Sequence, residues 1–319
     1  MTQKVPHKKV LAYDLGGTKV AVGVVNEKGR ILEEIREPVV FQLGKAKVIA
    51  QLADLGKKLI KHHPGIYRVG IASAGPLDAE KGLLLDPTNF VSEAGSWGKV
   101  PLASLLGKKL KRPVFLENDA AAAILAEHWL GAAKKYSNAM ILTLGTGLGT
   151  GVIVRDQLVR AGRMLHPEAG HLIIHSNDLT APCGCGNLGC AEAYLSGRNF
   201  ARRARPRFAN PNLTAKDIAT LARKRDPRAL AAFEEYAQLM AVALNNYAVI
   251  YAPEIVVLTG SFADASDLFL EQTKKYLKVL LARRRIGVDL YPKIVVSSLS
   301  NQAGILGGAF VAFHAKNKA

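Results

Sequence analysis

Between Val10 and Ile35 the apolar positions fall into three short runs: Val10 to Leu15, Val20 to Val25, and Ile31 to Ile35. Gly16-Gly17-Thr18 separates the first two, and Asn26-Glu27-Lys28-Gly29 separates the second from the third. Short Val- and Ile-rich runs bounded by Gly and Asn predict β-strands joined by tight turns, because glycine accepts backbone angles that other residues resist. The same order returns in mid-chain as "AMILTLGTGLGTGVIVRDQLV". There an apolar strand meets Gly145-Thr146-Gly147, a second strand follows at Val152 to Val154, and a turn at Arg155-Asp156-Gln157 leads to a third. The repetition predicts two related domains, each holding a Gly-rich hairpin.

Three other stretches extend the pattern. "EIVVLTGSFADASDLFL" predicts a strand, a turn at Gly260-Ser261 and a helix. "RPVFLENDAAAAILAEHWLG" predicts a strand, then Glu117-Asn118-Asp119, then an alanine-rich helix. Asp119 stands at that helix start, where the commonest role of an aspartate is to cap the first free N–H groups. From "GRNFARRARPRF" through "ALNNYAVIYAP", Ala, Leu and Arg recur at helical spacing, which reads as scaffold.

Exposed N–H groups in Gly-rich turns form concave nests for phosphate oxygens. Neither hairpin is a P-loop, since G-x-x-x-x-G-K-[ST] is absent from both. Each turn leads into a strand rather than a helix, which argues against a Rossmann half. Either hairpin alone is an ordinary turn; two matched copies with Thr beside Gly point to a phosphate clamp. The pairing resembles the actin-like ATPase architecture (ribonuclease H-like), duplicated α/β domains with an interdomain cleft. That resemblance implies phosphates held by Gly16, Gly17, Thr18 and Lys19 from one domain and by Thr146 and Gly147 from the other. It also places Gly260-Ser261 beside the adenosine of ATP, and Asp14 on Mg²⁺ directly or through water.

Composition narrows the class. The 319 residues suffice for two domains, and 49% hydrophobic against 22% charged residues is the balance of a soluble globular protein. The N-terminal apolar run is too short for a secretory signal, and no stretch approaches the ~20 apolar residues of a membrane span. The expectation is a cytoplasmic protein without a membrane partner. A net charge of +17 lies in scattered clusters such as Lys108/Lys109/Lys111/Arg112 and Arg202/Arg203/Arg205/Arg207, with only 7% aromatics. Nucleic-acid binders more often interleave a basic stripe with aromatics, so no nucleic-acid partner is expected. The charge reads as a solvated basic surface, with attraction of polyanions such as polyphosphate as the sharper alternative.

All three cysteines, Cys183, Cys185 and Cys190, fall within "PCGCGNLGCAE". Its formal G-x-G-x-x-G (Gly184, Gly186, Gly189) follows no strand and carries little weight for a dinucleotide. A reducing compartment disfavours a disulfide framework, and Cys-x-x-Cys redox chemistry is absent. Cys-x-Cys-x4-Cys offers three soft ligands, and a closed zinc site takes four in a tetrahedron. An upstream histidine completes it, with His166, His171 and His175 all within reach.

"EAGH" followed by "CGCGNLGCAE", together with "LTLGTGLGTGVIV" and "DLGGTK", resembles the ROK family of bacterial sugar kinases and sugar-responsive repressors. The match runs from Asp14 to "NQAGILGGAFVA" and fits at Glu168, Gly170, His171, Cys183, Cys185, Gly186, Gly189, Cys190 and Glu192. The resemblance implies His171 as the zinc ligand with Cys183, Cys185 and Cys190, the metal being structural. It implies Glu168, Glu192 and His171 as groups facing sugar hydroxyls, with Asn118, Asn89 and the turn around Gly75 as further sugar contacts. Asp119 becomes the catalytic base.

The expected activity is transfer of the γ-phosphoryl group of ATP to O6 of a hexose, glucose foremost. N-acetylglucosamine, mannose and fructose are alternatives, as is polyphosphate as donor. Such an enzyme belongs to carbohydrate metabolism and glycolysis. A sugar-sensing repressor of the same family needs an N-terminal helix-turn-helix module, and only thirteen residues, with Pro6 among them and no helical period, precede Asp14. A zinc-stabilised binding module without turnover is the third reading. The expected organisation is a smaller domain, residues 1–118 plus 301–319, and a larger one, 119–300, carrying the zinc knuckle and the helical segment. The resemblance also implies a homodimer.

Overall fold

The computed structural model describes residues 8–87, 90–93, 95–162, 165–283 and 287–315. The N-terminal strands form as Lys9–Leu15, Lys19–Asn26 and Ile31–Pro38. They make an antiparallel meander with Leu15 opposite Val20 and Val22 opposite Ile35. Ile66–Ser73 and Val114–Asn118 extend the sheet beyond the first strand, each parallel to its neighbour. A parallel return needs a crossover, and the helix Lys45–His62 supplies one. It buries Val48, Leu52, Leu55 and Leu59, a spacing of four and three that lines one helical face.

The second sheet repeats the plan. Ala139–Leu144 pairs antiparallel with Leu148–Val154, which turns through Arg155 and Asp156, both at positive φ, into Gln157–Leu158. Ile255–Thr259 and Lys293–Val296 then add in parallel on the other side. The strand, hairpin, strand duplication read from the sequence is therefore a duplication of sheet topology.

The chain divides into two compact units. One comprises residues 1–131, 160–166 and 301–319, and the other residues 132–159 and 167–300. Each has its own apolar core. The units are nearly equal in length rather than small and large, and the alanine-rich helix Asp119–Leu130 belongs to the first, not the second. The reason is close packing of small residues. A Cβ on Gly307, in the helix Ala303–His314, would lie 2.2 Å from the Ala122 carbonyl oxygen, so the two helices touch backbone to backbone. Sequence periodicity locates both helices but not this partnership.

The first sheet is covered on both sides. The Tyr13 hydroxyl donates to the Leu52 carbonyl at 2.9 Å, and a Cβ on Gly56 would sit 2.1 Å from that hydroxyl. On the alternate face, a Cβ on Gly70 would lie 1.9 Å from the Gly308 carbonyl oxygen. Backbone cannot swing aside as a flexible side chain would. Gly70→Ala is therefore expected to cost about 1–3 kcal/mol, the usual range for overpacking. The check is its urea midpoint; a value equal to wild type would contradict the close approach.

In the second unit the helical scaffold forms as Gly197–Ala204, Ala215–Arg223 and Pro227–Tyr251. Thr214 and Asp217 make a capping box for the second helix, and Asp226 caps the third. The long helix contributes buried Tyr236 and Tyr247, whose hydroxyls donate to the Leu195 and Ala169 carbonyls, each at 3.0 Å. Among the described residues no helix is long and apolar enough to cross a membrane.

Candidate active site and metal centre

Three parallel strands of the first unit end in register: Leu15 and Asn118 both align with Ser73. The carboxyl ends of parallel strands are where open α/β sheets bind ligands. Here they bring together Asp14, Gly75, Asn118 and Asp119.

The helix that begins at Asp119 is capped by Asn118, not by Asp119. Asn118 Oδ1 accepts from the Ala120 and Ala121 N–H groups at 2.9 and 3.1 Å. Because the amide oxygen takes the cap, Nδ2 points the other way, and no hydrogen bond from it is seen among the described residues. Asp119 follows as the first helical residue, its Oδ1 accepting the Ala120 N–H at 2.8 Å.

Asp14, the penultimate residue of the first strand, sets its carboxylate against Gly304, near the start of the helix Ala303–His314. A Cβ there would lie 2.3 Å from the carboxyl carbon. Burial first, and the nearby Asp119 charge second, push its pKa up to about 6. Below pH 4 the group is protonated in the folded and unfolded chains and does not affect stability. Between pH 4 and 6 the unfolded chain releases a proton that the folded chain retains, so stability falls as pH rises; above pH 6 the penalty is complete. Asp14→Asn is accordingly expected to stabilise the ligand-free protein by about 1–3 kcal/mol at pH 7.5 and not at pH 4. Thermal melts at the two pH values check this, and an equal effect at both would contradict it.

Gly16 closes the first hairpin turn, its N–H donating to the Lys19 carbonyl at 3.1 Å, and Gly17, Thr18 and Lys19 are exposed. The second hairpin closes likewise, from the Gly145 N–H to the Gly147 carbonyl at 3.1 Å. Gly260 (φ +90°) turns tightly against it: a Cβ would lie 2.5 Å from the Leu144 carbonyl oxygen, which also accepts the Phe262 N–H. The turn leads into a 3-10 segment, Ala263–Leu268, before the α-helix Leu270–Ala282 begins. Beside these turns lies a cavity of about 490 Å³, lined by Gly145, Thr146 and Ser261 and by the cations Arg198, Arg205, Lys216 and Arg223. That volume is within the usual range for a small-molecule site.

Glu168 is exposed and begins the short turn Ala169–His171. Gly170 cannot carry a side chain, since a Cβ would lie 2.2 Å from the Leu148 carbonyl oxygen. Thr150 braces the turn by donating to the Pro167 carbonyl and accepting the Ala169 N–H. Glu192 accepts the Leu148 N–H at 3.0 Å with Oε2, and its Oε1 lies 3.5 Å from Cys183 Sγ. It thus bonds to the second glycine hairpin as well as bordering the cysteines.

One donor atom each of His171, Cys183, Cys185 and Cys190 lies within 4.8 Å of all the others. Cys185 and Cys190 Sγ are 3.7 Å apart, and Cys183 Sγ is 3.4 Å from His171 Nδ1. Zinc–sulfur bonds of about 2.3 Å in a tetrahedron place sulfurs about 3.8 Å apart. The donor set and its spacing therefore fit zinc, with His171 in place of the other two candidates. His166 belongs to the first unit and His175 is exposed outside the cluster. Burial pushes the Cys183 and Cys190 thiols up, so a metal must displace their protons to bind.

Asn89 lies outside the described residues. Several residues that hold the site give no signal in the sequence. Arg160 grips Glu117 with both arms of its guanidinium, one contact measuring 2.9 Å, and Glu117 Oε1 accepts the Asn118 N–H. Tyr247 and Thr150 support the Glu168–His171 turn from elements remote in sequence.

Two units with the same sheet order, each with a glycine hairpin at the centre of its sheet, define an actin-like ATPase fold. The chain belongs to the ROK family, whose model matches residues 10–315. It is 32% identical to a glucokinase of Thermotoga maritima, over 96% of this chain and 98% of that one. It is 31% identical to an N-acetyl-D-glucosamine kinase of Citrobacter koseri, over 94% and 97%. Among solved structures, a ROK hexokinase from Thermus thermophilus superposes with a TM-score of 0.81 at 31% identity, over 96% and 98% of the two chains. A ROK glucokinase from Streptomyces griseus, in complex with glucose and AMPPNP, gives 0.80 at 30% identity, over 96% and 99%.

Proposed function

We propose that this chain is a sugar kinase that transfers the γ-phosphoryl group of ATP to O6 of a hexose, with glucose the preferred acceptor. The observation that carries the reading is the division of labour at the start of the helix Asp119–Leu130. Asn118 takes the cap, so the adjoining carboxylate is not needed for it. Asp119 is assigned as general base. It accepts the O6 proton as the O6–phosphorus bond forms and the bond to the bridging oxygen breaks, releasing ADP. Phosphoryl transfer is mostly positioning and charge stabilisation, and the remaining residues serve those ends.

Gly75, Asn118, Glu168, His171 and Glu192 are assigned to sugar hydroxyls, and Asn89 with them. Gly16, Gly17, Thr18, Lys19, Thr146 and Gly147 are assigned to the phosphates, and Gly260 to the nucleoside end. Magnesium accompanying ATP would neutralise phosphate charge; Asp14, a half-buried hard carboxylate near that of Asp119, is the oxygen donor assigned to it. Zinc held by His171, Cys183, Cys185 and Cys190 would have no open position, so its assigned role is to fix the His171 ring. We place the protein in a reducing cytoplasm, which keeps the three thiols available to the metal, and we assign it a homodimeric state.

The test is a coupled ADP-release assay across glucose, mannose, fructose and N-acetylglucosamine. Turnover highest on glucose is expected. Turnover confined to N-acetylglucosamine would move the assignment to the other relative's substrate, and none on any sugar would sink the kinase reading. Arg198, Arg205, Lys216 and Arg223 around the cavity, Arg223 already paired with Asp267, suit a second reading, polyphosphate, a longer polyanion than ATP, as the donor. The same assay with polyphosphate, following hexose phosphate formation, decides it.

A further inference from the structure

His166 is only 7% exposed, although it is polar, and it ends a short segment of chain. That segment, residues 160–166, belongs to the first unit and is tied down where Arg160 grips Glu117, two residues before Asp119. The point that a Cβ on Gly75 would occupy lies 3.6 Å from His166 Cε1 and 3.4 Å from Asn118 Nδ2. The bare glycine thus leaves room for one methyl-sized group, bordered by the imidazole, the Asn118 amide nitrogen and the Leu77 backbone nitrogen, the last at 3.6 Å.

We propose that His166 is a specificity-determining residue for the acceptor sugar, bracketing one hydroxyl over Gly75 together with Asn118 Nδ2. The inference rests on the sugar-kinase reading and extends it to a residue outside the family's motif. Its chemical basis is a count of donors and acceptors. Asn118 spends its oxygen on the helix cap and can offer only N–H groups to a ligand. A hydroxyl that accepts from Asn118 still needs a partner for its own proton, and a neutral imidazole supplies an acceptor nitrogen as well as a donor. A sugar lacking that hydroxyl leaves both groups unpaired, which is how a polar site rejects a deoxy analogue.

The test measures hexose binding to the full chain by titration calorimetry without ATP, for wild type, His166→Ala and His166→Gln. For glucose, the Ala variant is expected to weaken Kd about 5- to 30-fold, the loss typical of a ligand hydrogen bond, and the Gln variant less than about threefold. Among 2-, 3- and 4-deoxyglucose, one should bind the Ala variant as well as glucose does, identifying the hydroxyl. KM for ATP should stay within about twofold, and melting temperatures should match wild type. A glucose Kd unchanged in His166→Ala overturns the proposal. So does equal weakening in both variants with a parallel rise in the KM for ATP, which marks a merely structural role. Wild type that binds no hexose overturns it too. Wild type that binds hexose without releasing ADP sinks the kinase reading alone, and the binding measurements still decide this one.

Discussion

Asp119→Asn is expected to leave a folded protein that binds hexose and ATP but turns over about 10²–10⁴-fold more slowly, the usual contribution of a general base. The substitution keeps the shape and an oxygen able to accept the Ala120 N–H, but it cannot take a proton from O6. The fold should tolerate it because the helix cap belongs to Asn118. The variant should even melt higher than wild type at neutral pH, since the Asp119 charge is the second cause, after burial, of the raised Asp14 pKa. Gain of stability with loss of turnover is the signature of a charge kept for chemistry. Asn118→Ala should do the reverse, losing about 0.5–2 kcal/mol of stability with the cap and weakening hexose binding. Steady-state ADP release and thermal melts separate the two. A kcat for Asp119→Asn within threefold of wild type would remove Asp119 from the role of base.

The second large effect is expected on loss of the metal. One zinc per chain is expected by elemental analysis, and Cys190→Ser should remove it. The proposed zinc would tie the tip of the segment 181–190, through Cys185, to Cys190 and His171. That tip, residues 184–187, is exposed and closes on itself, the Cys183 N–H donating to the Asn187 carbonyl and the Gly186 N–H to the Cys183 carbonyl. The base of the segment is anchored, Cys190 being buried and the Gly189 carbonyl accepting from the Ile174 and His175 N–H groups. His171 would lose the bond that fixes its ring. Partners one step removed from a metal already contribute about 10–100-fold to affinity or activity, so loss of a direct ligand should weaken hexose binding by at least about tenfold. Zinc content measured alongside glucose affinity tests this. A Cys185→Ser protein with full zinc and full affinity would contradict it.

What could be read from the sequence shares one property: it is local. The two glycine hairpins announce themselves because turn chemistry and strand alternation lie within a few residues, and three of the four residues of the Cys3His cluster fall in one short stretch. What could not be read is remote. Arg160 meets Glu117 across 43 residues and Tyr247 meets Ala169 across 78, and neither leaves any periodic trace. The boundary between the units differs from the expected one for the same reason: contacts remote in sequence, Ala122 with Gly307, Trp129 with Phe310 and Leu130 with Gly29, assign the Asp119–Leu130 helix to the first unit. The exchange of roles between Asn118 and Asp119 is a shift of one position, finer than helix boundaries can be set from pattern alone.

The covering of Gly70 by Gly308 has a bearing on how the molecule is made. The last helix completes the first sheet, so the ribosome emits residues 8–131 well before the piece that closes over them. The second unit is complete, apart from the 160–166 excursion, by residue 300. Domains generally fold as they are synthesised, N-terminal first; here the half translated first lacks its covering helix until the end of synthesis.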